Sequence, residues 1–332
     1  MSLVIARFAP SPTGYLHIGG IRTALINYLF VQKFKKENNN SKLFLRIEDT
    51  DKERSNEKYF ESIISGLNWL NIKWDGKIIK QSNNIDIHKK IANKLLKNNG
   101  AYKCICTQEE LNQRRKKHLE KKESIKRLCK DCESNEKIQS ITNNYCIRIK
   151  INENDYTEIE DLVQGKIKVS NNEIDNFILT RNDGSPTYML SVVVDDYNMG
   201  ITHIIRGDDH LNNAFRQYHL YKNLNWKIPE YIHIPLIHGV DGKKLSKRHG
   251  AVDINDFKQD GFLPEAIINY LLQIGISFDE KELFGLSEAI EKFKINIIKK
   301  SPSIFDYEKI SFLNSKHIDK IDSILLIKIL NN

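Results

Sequence analysis

The apolar positions of this chain occur first as short continuous runs that alternate with stretches of helical spacing. Leu3 to Phe8 is a short apolar run, which predicts a buried strand. Ile21 to Lys35 carries apolar side chains close to helical spacing, and residues 42–49 form a second strand-like run before a helix that reaches about Leu70. The order strand, helix, strand, helix predicts a parallel sheet with right-handed crossovers.

This alternation is lost between about Ile85 and Leu179, which we interpret as an insertion between two halves of the sheet. The insertion is predicted to contain a helix at 85–98, a strongly charged helix from 108 to about 126, and strand-like pieces at 145–150 and 165–169. The sheet is predicted to resume at 176–180. Residues 201–210 again have the pattern of a strand, a turn and a helix start, and the chain after Gly261 is predicted to be helical.

A turn rich in glycine and proline separates the first strand from the first helix. Residues 10–20 contain His17, and Gly19 and Gly20 stand where the helix begins. The missing side chains allow another group to approach the backbone, and a helix start offers unpaired N–H groups that suit phosphate. The alternative is a tight turn with a satisfied histidine. Because Gly20 occupies the lysine position of a Walker loop, a P-loop is excluded.

Charged residues follow the predicted strands at their carboxyl ends, where parallel sheets collect ligands. Arg7 ends the first strand, and Glu48 and Asp49 end the second. The later strand is followed by Arg206, Asp208, Asp209 and His210. Ion-paired surface residues or a helix cap are the alternatives, but a cap explains only one member of the second group.

A basic segment bracketed by glycines lies at 241–250 and contains Lys244 and Lys247. An ordinary exposed turn is one interpretation. The other is a mobile loop that closes over polyphosphate and brings an ammonium group to the charge that develops during transfer.

All five cysteines lie between Cys104 and Cys146. Cys104, Cys106, Cys129 and Cys132 could supply four thiolates to a tetrahedral zinc ion, although the first spacing is tighter than usual. Four reduced thiols without metal remain the alternative. Cys146 alternates with Ile147 and Ile149 and is predicted to be a core thiol.

Charge and hydropathy limit the class of protein. The net charge of +8 is compatible with nucleic acid without establishing it. The insertion also has a predicted basic face, which is either an ordinary solvated surface or a binding surface for RNA phosphates. Its residues are Arg114, Arg115, Lys116, Lys117, Lys121, Lys122, Lys126, Arg127 and Lys130.

No run is long and apolar enough to span a membrane, and no leader precedes the first strand. We therefore expect a cytoplasmic protein, or an organelle protein without its leader. We also expect a monomer.

The string from Pro10 to Gly20 resembles the "HIGH" region of class I aminoacyl-tRNA synthetases in its glutamate-type form, and residues 244–248 resemble their "KMSKS" motif. With residues 46–51, 183–188, 193–196 and 206–210, the resemblance to bacterial-type glutamyl-tRNA synthetases extends over essentially the whole chain. The glutaminyl branch fits less well at residues 9–14.

The resemblance implies an α/β fold with a Rossmann-like parallel-sheet catalytic domain at 1–84 and 180–240. An inserted α+β acceptor-stem-binding domain would occupy 85–179, and the KMSKS-type loop and a helical stem-contact region 241–332. The implied reaction joins L-glutamate to tRNA(Glu) with ATP and Mg²⁺, and Zn²⁺ is a candidate in the insertion.

The resemblance also assigns residue roles. His17, Lys244 and Lys247 would be catalytic. ATP would be bound by Gly19, Gly20, Asp208, His210 and Lys247, and glutamate by Arg7, Ala9, Ser11, Glu48, Tyr188 and Arg206.

Two departures from the family pattern leave alternatives open. In the zinc region the family commonly has Cys-x-Cys followed by a tyrosine and another cysteine. Here the residue four before Cys129 is Ile125, and Cys132 would be the substitute, so both the presence of zinc and its ligand set stay open. The chain also ends where the family's anticodon-binding region would begin, by truncation or natural shortening. A glutamyl-queuosine tRNA(Asp) synthetase and a non-catalytic tRNA-binding paralogue are therefore the competing hypotheses.

Overall fold

The structure is a computed structural model that describes residues 3–51, 53–243, 245, 253–278 and 282–322. Its helices are α1 Ile18–Lys35, α2 Glu57–Trp69, α3 Ile85–Lys97, α4 Gln108–Glu120, α5 Lys130–Ser134, α6 Glu136–Gln139, α7 Tyr188–Asn198, α8 Leu211–Asn223, α9 Ile254–Gln259, α10 Pro264–Gln273, α11 Leu286–Lys292 and α12 Tyr307–Ile318. Its strands are β1 Ile5–Phe8, β2 Lys42–Ile47, β3 Ile79–Lys80, β4 Ala101–Cys104, β5 Cys146–Ile149, β6 Tyr156–Asp161, β7 Gly165–Ser170, β8 Ile178–Thr180, β9 His203–Gly207, β10 Glu230–Ile234, β11 Ile237–His238 and β12 Ser303–Ile304.

Two sets of parallel strands carry the predicted catalytic residues. β1 pairs with β2 and β2 with β3, while β9 pairs with β10, all in parallel. The two sets adjoin at β1 and β9, because the Thr202 N–H donates to the Ile5 carbonyl at 2.9 Å. The parallel α/β architecture predicted from the sequence is therefore confirmed, and the carboxyl ends of β1, β2 and β9 face one region.

Helix α1 lies inside the structure because it is apolar on nearly every side. Ile18, Ile21, Leu25 and Leu29 have no exposed surface. They share one apolar core with α2 and with the helices α10 to α12 near the end of the described chain. A second core joins α3, β5, α7 and α8. Helices thus cover both sides of the parallel strands, as expected for this class of sheet.

Residues 85–179, interpreted above as an insertion and referred to as such below, divide between two sheets. β4, β5 and β8 form a separate antiparallel sheet. The β6–β7 hairpin instead joins the edge of the parallel strands, where Tyr231 of β10 is paired with Asp161 of β6. The prediction that the catalytic sheet resumes at 176–180 was wrong: β8 pairs with β5, since Ile147 and Arg148 provide its hydrogen-bonding edge.

Helix ends account for another difference from the sequence prediction. Asn71, Asn99 and Asn225 follow α2, α3 and α8 with positive φ, the left-handed conformation that ends helices and that asparagine tolerates. Lys122 adopts the same conformation, with φ of 57°. The charged helix α4 therefore ends at Glu120 and does not reach Lys126. It starts with a capping box between Thr107 and Glu110.

No helix among the described residues is long and apolar enough to cross a membrane.

Candidate active site

A pocket of about 370 Å³ lies at the carboxyl ends of β1, β2 and β9, between the turn that precedes α1 and the start of α7. The predicted site residues that line it are Arg7, Ala9, Ser11, His17, Gly19, Gly20, Glu48, Tyr188, Arg206 and His210. The structure therefore brings together, in one cavity, residues that are up to two hundred positions apart in the chain.

One predicted residue is placed differently, and two lie outside the described residues. Asp208 is not among the lining residues, whereas its neighbour Asp209 is. Burial, with the adjacent Asp209 carboxylate, raises the pKa of Asp208. Lys244 and Lys247 lie outside the described residues, so the structure does not test their predicted position.

His17 forms the N-cap of α1 and lines the pocket at the helix start. Its Nδ1 accepts the N–H of Gly20 at 3.2 Å. A Cβ built on Gly19 would lie 3.1 Å from two atoms of the His17 ring. Glycine at position 19 therefore keeps the imidazole in place and leaves the first turn of the helix open.

A buried ion network supports the floor of the pocket. Asp196 of α7 accepts from Arg7 Nε at 2.9 Å and from Arg46 Nη1 at 2.5 Å, and Arg46 Nη2 donates to Glu48 at 3.0 Å. Burial alone would raise the pKa of Asp196, but Arg46 and Arg7 hold it below its ordinary value. For Glu48, burial prevails over both arginines and raises the pKa. The positive charge of Arg7 is therefore largely balanced by Asp196.

Arg206 is held by neutral partners. Its Nε donates to His233 Nε2 at 3.0 Å, Nη1 to the Gln217 side chain at 2.8 Å, and Nη2 to the His210 carbonyl at 3.3 Å. Only 6% of Arg206 is exposed, and within the described part of the chain no acidic side chain forms an ion pair with it. These bonds use three of the five guanidinium N–H groups, which leaves one hydrogen on each Nη for a ligand.

His233 and Asp161 are supporting residues that the sequence analysis did not single out. Burial lowers the pKa of His233, so the ring is neutral and Nε2 can accept from Arg206. The opposite nitrogen, Nδ1, then donates to Asp161 Oδ2 at 2.7 Å. Asp161 ends β6 and lies 72 positions from His233, so no local motif indicates the pair.

Comparisons with known proteins agree with this geometry. The family described as "tRNA synthetases class I (E and Q), catalytic domain" matches residues 3–312. This chain belongs to that family. The match confirms its assignment to the class I aminoacyl-tRNA synthetases, and together with the relatives named next it confirms the resemblance to glutamyl-tRNA synthetases.

The relatives that the chain matches are longer than the chain. "Glutamate--tRNA ligase 2" of Paramagnetospirillum magneticum is 45% identical over 329 residues, which are 98% of this chain and 68% of the relative. "Glutamate--tRNA ligase 2" of Ehrlichia chaffeensis is 48% identical over 315 residues, 95% of this chain and 66% of the relative. A crystal structure of a glutamate tRNA ligase from Elizabethkingia meningosepticum in complex with its amino acid is 32% identical, with a TM-score of 0.85 over 96% of this chain and 70% of that one. The chain spans about two thirds of these proteins.

The KMSKS-type segment is attached beside the pocket at both of its described ends. Leu245 lines the pocket, and its N–H donates to the Ile237 carbonyl at 3.1 Å. After residues 246–252, Asp253 is paired with His17 and the Ile254 N–H donates to the Leu16 carbonyl at 2.9 Å. The described residues on either side of the part that carries Lys247 therefore both contact residues that line the pocket.

Asp49 and Asp195 lie next to the site residues Glu48 and Asp196 in the chain, but their carboxylates are hydrogen-bonded to other parts of the protein. Asp49 accepts the backbone N–H and the hydroxyl of Ser82 at 2.8 and 2.7 Å. Asp195, next to Asp196, accepts from His88, Gln81 and Asn84. Asp49, which follows β2, and Asp195 of α7 thus anchor residues 81–88.

The cysteines form one cluster in the insertion. The sulfur atoms of Cys104, Cys106 and Cys132 all lie within 4.8 Å of one another, a spacing that a zinc ion with Zn–S bonds of about 2.3 Å can bridge. Hydrogen bonds from Cys129 and then Cys146 lower the pKa of Cys104. Cys129, the predicted fourth ligand, is outside the mutually close group. Cys146 is buried as a core thiol would be, yet faces Cys104 across the β4–β5 pair.

Proposed function

We propose that this chain attaches L-glutamate to the 3′-terminal adenosine of tRNA(Glu) through a glutamyl-adenylate intermediate. The glutamate α-carboxylate attacks the α-phosphorus of ATP, and pyrophosphate leaves. The 2′-hydroxyl of the terminal adenosine then attacks the acyl carbon, its proton is lost, and AMP leaves. Neither step needs a covalent bond to the protein, so positioning and charge stabilisation supply the catalysis.

The observation that carries this proposal is Arg206, a buried guanidinium without an acidic ion-pair partner in the described residues, at one end of a pocket that begins at a helix start. Its two remaining N–H groups match the two oxygens of a side-chain carboxylate. Glu48, beside Arg7 and Tyr188, offers an anion to the substrate ammonium. The solved relative named as a glutamate tRNA ligase in complex with its amino acid supports the same substrate.

The opposite end of the pocket is assigned to ATP. His17, Gly19 and Gly20 surround the N-terminus of α1, whose free N–H groups and dipole favour phosphate. His210 and Asp208 would border the adenosine. Lys247, with Lys244 nearby, would bring positive charge to the pentavalent phosphorus, and Mg²⁺ would bind the ATP phosphates. Zinc, if held by the cysteine cluster, would stabilise the fold of the insertion.

A charging assay tests the proposal. Labelled glutamate is supplied with ATP and, separately, with tRNA(Glu), tRNA(Gln) and tRNA(Asp), and glutamate attached at the 3′ end is measured separately from glutamate attached to a base. Charging of tRNA(Glu) is expected. Glutamate on queuosine-containing tRNA(Asp) alone would replace the proposal by the glutamyl-queuosine alternative, and no transfer or adenylate formation at all would favour the non-catalytic paralogue.

A further inference from the structure

Arg22 is a buried cation at the wall of the catalytic pocket, and the reaction described above gives it no role. It lies in the second turn of α1, after the N-cap His17, and it is one of the residues that line the pocket. Only 1% of its surface is exposed. Burial lowers the pKa of Arg22 to about 10, while the Asp208 carboxylate acts in the opposite direction. The guanidinium therefore keeps its positive charge at neutral pH.

Stability alone does not explain an arginine at this position. Its Nη1 donates to the Pro235 carbonyl at 2.5 Å, but Nε and Nη2 are buried without a hydrogen-bond partner among the described residues. A Cβ built on Gly275 would overlap Nη2, so this nitrogen occupies a space that exists because residue 275 has no side chain. Buried donors that stay unpaired lower stability, and an apolar side chain of similar length would fill the same space without them.

The peptide unit between Pro235 and Leu236 is held from both sides. Arg22 binds its carbonyl oxygen, and its N–H donates to the carboxylate of Asp208. The next carbonyl, that of Leu236, accepts the Ser303 N–H at 3.3 Å. The chain at this point therefore has a fixed position, and Arg22 is the residue that ties it to α1.

The position of this peptide bears on the part of the pocket that is assigned to ATP. Pro235, Leu236 and Ile237 line the pocket together with the start of α1. The carbonyl of Ile237 accepts the Leu245 N–H at 3.1 Å, so the KMSKS-type segment is attached one residue beyond the held peptide. Arg22 thus connects the helix whose N-terminus is assigned to the phosphates with the pocket wall and with this attachment point.

We propose that Arg22 is a positioning residue for ATP, which fixes the Pro235–Leu236 peptide and the attachment of the KMSKS-type segment relative to the helix start. This inference rests on the proposed function, which assigns ATP to that part of the pocket. Arg22 acts through the peptide and not by touching ATP, because it is almost fully buried and its unpaired Nη2 faces Gly275. Without Arg22 the wall would be free to take several positions, and ATP would lose affinity by having to select one of them.

The test compares two single variants that each remove a buried donor from α1. Arg22→Met removes the hydrogen bond to Pro235 and leaves an apolar side chain in its place. The control, Asn27→Leu, removes the bonds of the Asn27 side chain to the carbonyls of Thr23 and Ile205, at 2.9 and 3.2 Å, and Asn27 does not line the pocket. The measurements are the melting temperature, the dissociation constant of ATP with Mg²⁺ by calorimetry, and the KM values for ATP and glutamate in pyrophosphate exchange.

We expect Arg22→Met to bind ATP about tenfold more weakly, which corresponds to about 1.4 kcal/mol, and to raise the KM for ATP by a similar factor. The KM for glutamate should change by about twofold at most. Asn27→Leu should lower the melting temperature at least as much as Arg22→Met does, yet keep ATP affinity within about twofold of wild type. Arg22→Lys keeps the charge and a donor, so it should recover a large part of the ATP affinity.

A folded Arg22→Met protein with wild-type ATP affinity would overturn the positioning role. So would an equal loss of ATP affinity in Asn27→Leu, or a KM for glutamate that rises as much as the KM for ATP. If Arg22→Met does not fold, Arg22→Lys and Arg22→Gln replace it. ATP affinity should then fall in the order wild type, lysine, glutamine, and equal affinity in all three would refute the proposal.

The role of Arg22 and the proposed function can fail separately. If wild type binds ATP but charges no tRNA, and Arg22→Met alone weakens ATP binding, the proposed function fails while the role of Arg22 stands. If wild type charges tRNA and Arg22→Met binds ATP normally, the proposed function stands and the role of Arg22 fails. A wild type that binds no ATP overturns both.

Discussion

Replacing Arg206 by alanine removes a buried cation of the catalytic pocket that forms no ion pair with an acidic side chain among the described residues. Its two remaining N–H groups would each form a charge-assisted hydrogen bond with the glutamate side chain, worth about 1.5–3 kcal/mol apiece. Loss of both amounts to roughly 3–6 kcal/mol. At about 1.4 kcal/mol per factor of ten, kcat/KM for glutamate should fall about 10²- to 10⁴-fold.

The assay is glutamate-dependent exchange of pyrophosphate into ATP in the presence of tRNA, with each substrate varied in turn. The KM for ATP should rise less than the KM for glutamate, because the hydrogen bonds of Arg206 go to His233, Gln217 and the His210 carbonyl and not to the helix start assigned to the phosphates. Arg206→Lys keeps the charge but loses the fork, so its activity should lie between wild type and alanine. The preference for glutamate over glutamine should shrink in both variants.

A wild-type glutamate KM and exchange rate in Arg206→Ala would refute this assignment. Because Arg206 also holds His233, Gln217 and the His210 carbonyl, the melting temperature of each variant is measured alongside. A folded alanine variant whose KM for ATP rises as much as that for glutamate would show that Arg206 serves the pocket as a whole.

Three further predictions concern the surroundings of the pocket and the insertion. His233→Phe removes the acceptor that orients Arg206, so the glutamate KM should rise by about tenfold with kcat nearly unchanged; equal loss in both parameters would contradict a positioning role. Gly275→Ala places a Cβ 2.2 Å from a buried guanidinium at φ of 70° and should lower the melting temperature by several degrees, whereas Gly285→Ala, with nothing within 4 Å, should not. Wild type should contain about one zinc per chain by elemental analysis. Cys132→Ser should lose the zinc, whereas Cys146→Ser should retain it. A metal-free wild type would indicate that the cysteines are reduced thiols without metal.

The elements that the sequence predicted best are those with local signals. The run ending at Phe8, the turn with His17 and the helix after it follow from residues that are adjacent in the chain, and the structure has β1 and α1 there. The strand, turn and helix around Arg206 are equally local. The gathering of Arg7, Glu48 and Arg206 in one pocket could be inferred because parallel strands bring their carboxyl ends to one edge.

The parts that were missed depend on contacts that sequence spacing does not encode. β6 and its Asp161 were not predicted, and their place beside β10 is fixed by a partner about 70 residues away. Helix α4 ends before the predicted position because Lys122 adopts a left-handed conformation, which the charge pattern of the helix does not indicate. The sequence analysis assigned β8 to the catalytic sheet, and the apolar residues Phe177, Ile178 and Leu179 could not correct this because they suit a strand in either sheet.

Because Asp161 is hydrogen-bonded to His233, the insertion cannot be removed without affecting the catalytic pocket. If the insertion were deleted, or replaced by the corresponding segment of another synthetase, His233 would lose Asp161 and Arg206 would lose the residue that orients it. Amino-acid selectivity would then decay even though every residue that touches the substrate was untouched. A chimaera that keeps Asp161 and the β6–β7 hairpin of this chain should keep glutamate selectivity. A chimaera in which the replaced segment includes β6 should lose it.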